Sequence, residues 1–214
     1  MHQFNCSAVL FDLDGVLVDS TPSVVAIWTW WAKKNGIDPD QVLKIVHGRR
    51  TKEVLQIFTP NLDIDAEARQ IEASITDKKD GTVAIPGAAK LLQSLPADRW
   101  CVVTSGIAEY AQRRLRSAGL PVPHVLVASD HVKNGKPHPE PYLKGAELLG
   151  VEPSKCVVVE DAINGIESGH AGGMKVIGVA TTYPAEKLHQ ADAVVKTLEG
   201  VAASSVNGEI SLKV

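Results

Sequence analysis

Residues 8–20 read AVLFDLDGVLVDS, an apolar run interrupted by Asp12 and Asp14, with Gly15 directly after them. Side chains alternate along a strand, so residues two apart share a face. Two like charges at the end of a buried strand repel each other and resist losing water. Something must hold both carboxylates there, and that requirement marks the strand end as a candidate site.

Three further stretches read as buried strands: WCVVTSG (100–106), KCVVVEDA (155–162) and MKVIGVAT (174–181). They are β-branched runs without alternation, which suits a parallel sheet covered on both faces. Helical patterns lie between them, over 108–119, 139–150 and 164–171. Strand and helix in alternation predict an α/β fold with a Rossmann-like parallel-sheet core. Ligands of such sheets bind beyond the carboxyl ends of the strands. The first three strands deliver polar residues to that edge: Asp12 and Asp14, Thr104 and Ser105, then Glu160 and Asp161.

Residues 20–83 break the alternation. Their patterns are mostly helical, with N-cap candidates at Asp38 and Asp63, and the interval is too long for an ordinary loop. The expected organisation is a core of residues 1–19 and 84–214 and a helical cap domain of residues 20–83. The main sheet is expected to resume near IPGAAKLLQSL (85–95). An insert that leaves and rejoins beside the acidic edge is placed to act as a lid.

Charge is nearly balanced, 22 Lys+Arg against 25 Asp+Glu, which gives no reason to expect a nucleic-acid or membrane partner. Cys6, Cys101 and Cys156 are widely spaced, in no metal pattern, and are expected as small buried residues. No signal peptide or membrane-length apolar run is visible, so the expected location is the cytoplasm. A monomer is expected.

A hard divalent cation relieves the repulsion at the acidic edge. Mg²⁺ takes oxygen ligands, a few carboxylates plus water and phosphate, and Asp12, Asp14, Glu160 and Asp161 supply oxygens. A single Asp after a strand usually caps a turn or helix; four acids at one edge outweigh that reading. Thr104 is suited to a phosphate oxygen, and the turn at Ser105 and Gly106 offers backbone N–H groups near a helix start. Lys136, stiffened by Pro137 and Pro139, is suited to neutralising a phosphoryl group.

The order of FDLDG, VVTSG, GKPHPEPYLKG and VVVEDAINGIESGHAGGMKVIGVAT resembles the haloacid dehalogenase superfamily over nearly the whole chain. The insert resembles that family's helical type 1 cap. The resemblance implies Asp12 as nucleophile through an aspartyl-phosphate, and Asp14 as general acid and base that also lends its backbone carbonyl to Mg²⁺. It further implies Thr104, Ser105 and Lys136 on the phosphate, and Asp161 and Glu160 on the metal. Gly165, Gly169, Gly172 and Gly173 read as packing and turn positions, and His138 and His170 as structural.

Within the superfamily, dehalogenases lack the second Asp of the first motif, which is present here as Asp14. Against the β-phosphoglucomutase pattern, Trp28 and Gly36 match, but Val24 stands at the mutase's His and Thr51 at its Arg. The closer likeness is to yeast-type glycerol-phosphate and 2-deoxyglucose-6-phosphate phosphatases, through HGRRT (47–51) and GKPHPEPYLKG (135–145). It implies a small phosphorylated sugar or polyol substrate, with His47, Arg49 and Arg50 on the cap side of the pocket. The alternative for that loop is a solvated helix start. An inactive phosphate-ligand sensor is the non-enzyme alternative, set against the presence of every chemical group. Trp28 and Trp31 are expected to pack within the cap, and 206–214 to end the chain as a short hairpin strand.

Overall fold

The computed structural model describes residues 2–76, 81–206 and 208–214, with residues 72–76 described by their backbone. The chain opens with β1 (Gln3–Cys6), β2 (Ala8–Phe11) and the two-residue β3 (Val18–Asp19). Helices α1 (Thr21–Lys34), α2 (Pro39–Leu43), α3 (Thr51–Phe58) and α4 (Ile64–Thr76) follow, and β4 (Val83–Ala84) then pairs antiparallel with β3. Next come α5 (Ala88–Gln93), β5 (Trp100–Val103), α6 (Ala108–Ser117), β6 (Leu126–Val127) and α7 (Glu140–Leu149). The chain ends with β7 (Cys156–Glu160), α8 (Ile163–Ala171), β8 (Lys175–Val179), β9 (Ala193–Val195), β10 (Ala202–Val206) and β11 (Glu209–Lys213).

Six strands form a parallel sheet in the order β6-β5-β2-β7-β8-β9. From β2 the chain builds outward through β5 and β6, then crosses back to build through β7, β8 and β9. The order reverses beside β2, which opens a crevice at the carboxyl ends of β5, β2 and β7. Register brings the motifs level there: Phe11 pairs with Val102 on one side and Val159 on the other.

Side chains alternate between the two faces of the sheet, and both faces are buried. Val9, Phe11, Val102, Val157 and Val159 pack with Leu91 and Leu92 of α5 and Leu115 of α6. Leu10, Cys101, Val103 and Val158 face the other way, onto Tyr142 and Ala146 of α7 and Ile166 of α8. With both faces covered, every position of β2 and β5 is apolar, hence the uninterrupted runs in the sequence. The three cysteines are free and buried, and burial pushes the Cys156 thiol up to about 11.

The helices between β3 and β4 carry a core of their own, including Trp28, Trp31, Val54, Leu55 and Ile71. Trp28 and Trp31 meet edge to face at 5.4 Å, and Trp31 Nε1 donates to Glu67 at 3.1 Å. Asp38 caps α2 by accepting from the Asp40 amide, and Asp63 accepts from that of Ala66, both at 3.0 Å. The expected insert includes residues 77–80, which lie outside the described residues.

Two expectations need correction. Residues 85–95 do not resume the sheet. They carry α5, because Ala88, Leu91 and Leu92 recur at helical spacing, and the sheet resumes at β5. The tail is more than a hairpin strand: β11 pairs with β10 and also with β1, tying the two chain ends into a second sheet. Asn207 lies outside the described residues.

Candidate active site

Asp12 follows β2 directly, and its amide donates to the Val159 carbonyl at 2.9 Å, which extends the strand by one residue. Its Oδ1 accepts from Lys136 Nζ at 2.5 Å. The same ammonium donates to Glu160 Oε1 at 2.6 Å and the Val103 carbonyl at 3.1 Å. Desolvation, with Glu160 and Asp14 nearby, pushes the Asp12 carboxyl up to about 7, although Lys136 opposes the shift. Burial disfavours the charged form of Lys136, but Asp12 and Glu160 outweigh it and keep the ammonium protonated.

Glu160 departs from the expectation of a metal ligand. Its Oε1 accepts from Lys136 and, at 2.9 Å, from Tyr142 Oη; its Oε2 accepts from the amides of Asp161 and Ala162, both at 2.9 Å. Four donors fill a carboxylate that is fully buried. Glu160 therefore anchors Lys136 and the turn after β7. Gly165 makes the room: a Cβ there would stand 1.8 Å from Glu160 Oε1.

Asp161 lines the pocket, and desolvation together with Glu160 and Asp12 holds its carboxyl well above the usual range, opposed by a hydrogen bond from Thr182. Gly15, at φ +84, permits that approach, since a Cβ there would lie 2.0 Å from Asp161 Oδ2. Thr181 Oγ1 donates to the Gly15 carbonyl and fastens the same loop. Asp14 also lines the pocket, and its Oδ1 accepts from Ser20 Oγ and from Arg114 Nη1, each at 2.6 Å. Thr104 is buried on the pocket wall, and its Oγ1 accepts from the Gly106 amide at 3.1 Å.

The cap closes over this floor. His47, Arg49, Thr51, Val24, Trp28 and Val46 line the same cavity, about 110 Å³ in volume. Burial lowers the His47 pKa, opposed by Asp14. The side chains of two expected site residues join the cap to the core. Ser105 Oγ donates to the Gly48 carbonyl at 2.8 Å, so any role on phosphate falls to its backbone N–H. Arg50 donates from Nε to Glu53 at 2.6 Å and from Nη1 to the Lys133 carbonyl at 3.0 Å, which fastens α3 to the core and keeps that guanidinium out of the pocket. Asn164 Nδ2 also donates to the Gly48 carbonyl, at 2.7 Å.

Sequence reasoning missed Arg114, Tyr142, Asn164 and Thr182. Arg114 left a trace: Tyr110, Ala111, Arg114 and Leu115 share the buried stripe of α6, where an arginine needs a partner. Tyr142 and Asn164 lie inside recognised motifs and Thr182 just after one, without a charge to mark them.

Among the described residues no three His, Cys, Asp or Glu side chains converge as a ready metal cluster. With Glu160 filled by its four donors and Asp14 Oδ1 held by Ser20 and Arg114, the carboxylates that the pocket floor offers a metal are those of Asp12 and Asp161. That set still fits Mg²⁺, which commonly takes one or two carboxylates and completes its shell with water and phosphate. Both carboxyls are raised by burial and mutual repulsion, so the floor is short of positive charge.

Comparison with known proteins agrees with the geometry. The sequence model of the haloacid dehalogenase-like hydrolases matches residues 6–173. Hexitol phosphatase A of Escherichia coli (strain K12) is 41% identical over 214 residues, covering 97% of this chain and 99% of that protein. Glycerol-1-phosphate phosphohydrolase 2 of Saccharomyces cerevisiae is 37% identical, over 95% of this chain and 87% of its own length. The crystal structure of β-phosphoglucomutase from Clostridium difficile superposes with a TM-score of 0.80 at 25% identity, covering 90% of this chain and 92% of that one. No helix among the described residues is long and apolar enough to cross a membrane.

Proposed function

The chain belongs to the haloacid dehalogenase-like hydrolase family, and from that premise we propose that it is a Mg²⁺-dependent phosphatase of a small polyol or sugar phosphate. The observation that carries the proposal is Asp12 itself: a buried carboxylate at the sheet's switch point, facing the pocket and held by Lys136.

In the first step an Asp12 oxygen attacks phosphorus and the bond to the alcohol oxygen breaks. Asp14 gives that oxygen a proton. In the second step Asp14 takes a proton from water, whose oxygen attacks phosphorus as the Asp12–phosphorus bond breaks, and inorganic phosphate leaves. Thr104, the Ser105 amide and Lys136 hold the phosphoryl oxygens throughout. Asp12, Asp161 and the Asp14 backbone carbonyl would hold Mg²⁺, which supplies positive charge opposite those oxygens. The helices of residues 20–83 serve as a cap domain. A cavity near 110 Å³ is smaller than the roughly 300–1,000 Å³ of small-molecule sites, so substrate entry requires the cap to part from the core. His47 and Arg49 face the alcohol part of the substrate. Soluble cytoplasmic chemistry fits three free, buried cysteines.

The mutase reading draws on the fold neighbour, but Val24 and Thr51 weigh against it. Both line the cavity at the mutase's His and Arg positions, and neither carries charge to grip a second phosphate. The test is phosphate release from a panel of hexitol, glycerol and hexose phosphates, alongside β-glucose 1-phosphate with and without glucose 1,6-bisphosphate. Release from the polyol esters without bisphosphate is expected. Bisphosphate-dependent formation of glucose 6-phosphate with little free phosphate would overturn the reading.

A further inference from the structure

Asp14 and Arg114 are 100 residues apart in sequence, and both line the cavity. Arg114 rises from the second turn of α6, the helix that begins just after Thr104 and Ser105. Its residue exposure is 8%, its Nη1 donates to Asp14 Oδ1 at 2.6 Å, and its Nε has no hydrogen-bond partner among the described residues. A buried guanidinium is costly unless paired, and Asp14 is the acceptor printed into its surroundings by the fold. On the carboxylate side, Ser20 Oγ donates to the same Oδ1, also at 2.6 Å. The Asp14 side chain nevertheless keeps 30% of its surface exposed. Two donors converge on one oxygen, and the other is left for the cavity.

We propose that Arg114 is a positioning residue for proton transfer: together with Ser20 it pins Oδ1 of Asp14, so that Oδ2 is the atom that exchanges a proton with the alcohol oxygen and with water. This rests on the phosphatase reading above. Side chains that serve in proton transfer work within narrow limits of distance and angle. An Asp free to rotate about χ1 and χ2 spends little of its time in reach. The pin comes from the core helix α6 and from the residue that enters α1, so the acid is fixed by both sides of the cap junction. The contribution of Arg114 then falls on the leaving group. An alkoxide leaving from a polyol phosphate needs the proton, whereas p-nitrophenolate leaves with little help.

The experiment measures kcat/KM, which covers the steps through transfer to Asp12, over phosphate esters whose leaving groups range from p-nitrophenol to glycerol and a hexitol. In Arg114→Met, kcat/KM is expected to fall about 100-fold for the polyol esters and only several-fold for p-nitrophenyl phosphate, which steepens the dependence on leaving-group pKa. Arg114→Lys, which keeps a donor, restores part of the difference. Ser20→Ala steepens the slope in the same direction by less, and it decides the matter if Arg114→Met does not fold. Equal losses across the series, or an unchanged slope in both Ser20→Ala and Arg114→Lys, would mean that the pair only neutralises a buried charge, and the inference falls. If the wild-type protein releases no phosphate from any ester, the phosphatase reading fails first and takes this inference with it. An active wild type with parallel slopes removes Arg114 alone.

Discussion

Asp12 and Asp192 are each bonded to a lysine, and their carboxyls are driven in opposite directions. Asp12, at the end of the central strand, meets Lys136 at 2.5 Å and is pushed up to about 7. Asp192, just before the sheet-edge strand β9, meets Lys175 at 2.7 Å and is held down at about 2. The ion-pair distance does not explain the difference. Asp12 is cut off from water and shares Lys136 with Glu160, so desolvation and like charge prevail over the pair. Asp192 also loses some hydration, but the Val176 amide at 2.9 Å and His170 Nε2 at 3.0 Å join Lys175 on its two oxygens. The edge region is electrostatically complete in itself, whereas the switch-point region still lacks positive charge. That shortfall marks the place where ligand chemistry belongs.

The largest expected effect breaks the comparison at its functional end. Asp12→Asn removes the nucleophile, and turnover is expected to drop by about 10⁴-fold or more. Lys136 keeps Glu160 and the Val103 carbonyl, so thermal melting of the variant should stay close to wild type. Substantial activity in the purified variant would separate the raised carboxyl from catalysis.

Next in size is removal of the metal. Chelation with EDTA is expected to abolish phosphate release and added Mg²⁺ to restore it. Mg²⁺ should also raise the melting temperature of the wild type, because a ligand that binds the folded state stabilises it, and do so much less in Asp161→Asn. Activity that survives thorough chelation would show that the charge missing from the floor is supplied by something else.

A smaller effect separates the two cap arginines. Arg49→Ala is expected to lower kcat/KM for polyol phosphates by roughly 10-fold relative to p-nitrophenyl phosphate, the loss of a charged hydrogen bond to substrate. Arg50→Ala, which frees the Lys133 carbonyl and Glu53, should reduce all substrates alike. Identical selectivity profiles for the two variants would assign both residues to holding the cap.

The same contrast explains what the sequence disclosed. Buried charge at a strand end breaks an apolar run, so Asp12, Asp14, Glu160 and Asp161 were visible as a group, and so was the sheet that carries them. Which carboxylate oxygens stay open to the pocket was not visible, because that depends on donors that the fold brings in: Tyr142 and Lys136 for Glu160, Arg114 and Ser20 for Asp14. Arg50 has the residue type that suits oxygen-rich groups, yet its side chain is spent on the cap–core junction, as is that of Ser105, whose backbone N–H is the group read for phosphate. Strands β6 and β9 are too short to leave a pattern, and the pairing of β11 with β1 spans the whole length of the chain.

The least perturbing change tests the complete end of the comparison. Asp192 has a folded-state pKa near 2, below its ordinary value of 3.8. A depressed acid stabilises the fold above its unfolded pKa, and this contribution disappears as pH falls through the folded value. Asp192 thus contributes in full above about pH 4 and loses its contribution between about pH 4 and 2. Its side chain is 21% exposed and that of Lys175 is 66% exposed, so solvent screens part of the attraction. The expected contribution is about 1–2 kcal/mol. Asp192→Asn should therefore be less stable than wild type by that amount at pH 6 in urea unfolding, and the gap should narrow as pH is lowered from 4 toward 2. Asp192 lies away from the carboxylates that face the pocket, so kcat/KM at neutral pH should be unchanged. A gap that stays constant across that range would mean that Asp192 holds β8 and β9 through neutral hydrogen bonds to the Val176 amide and His170, and that the charge on its carboxylate contributes nothing to the fold.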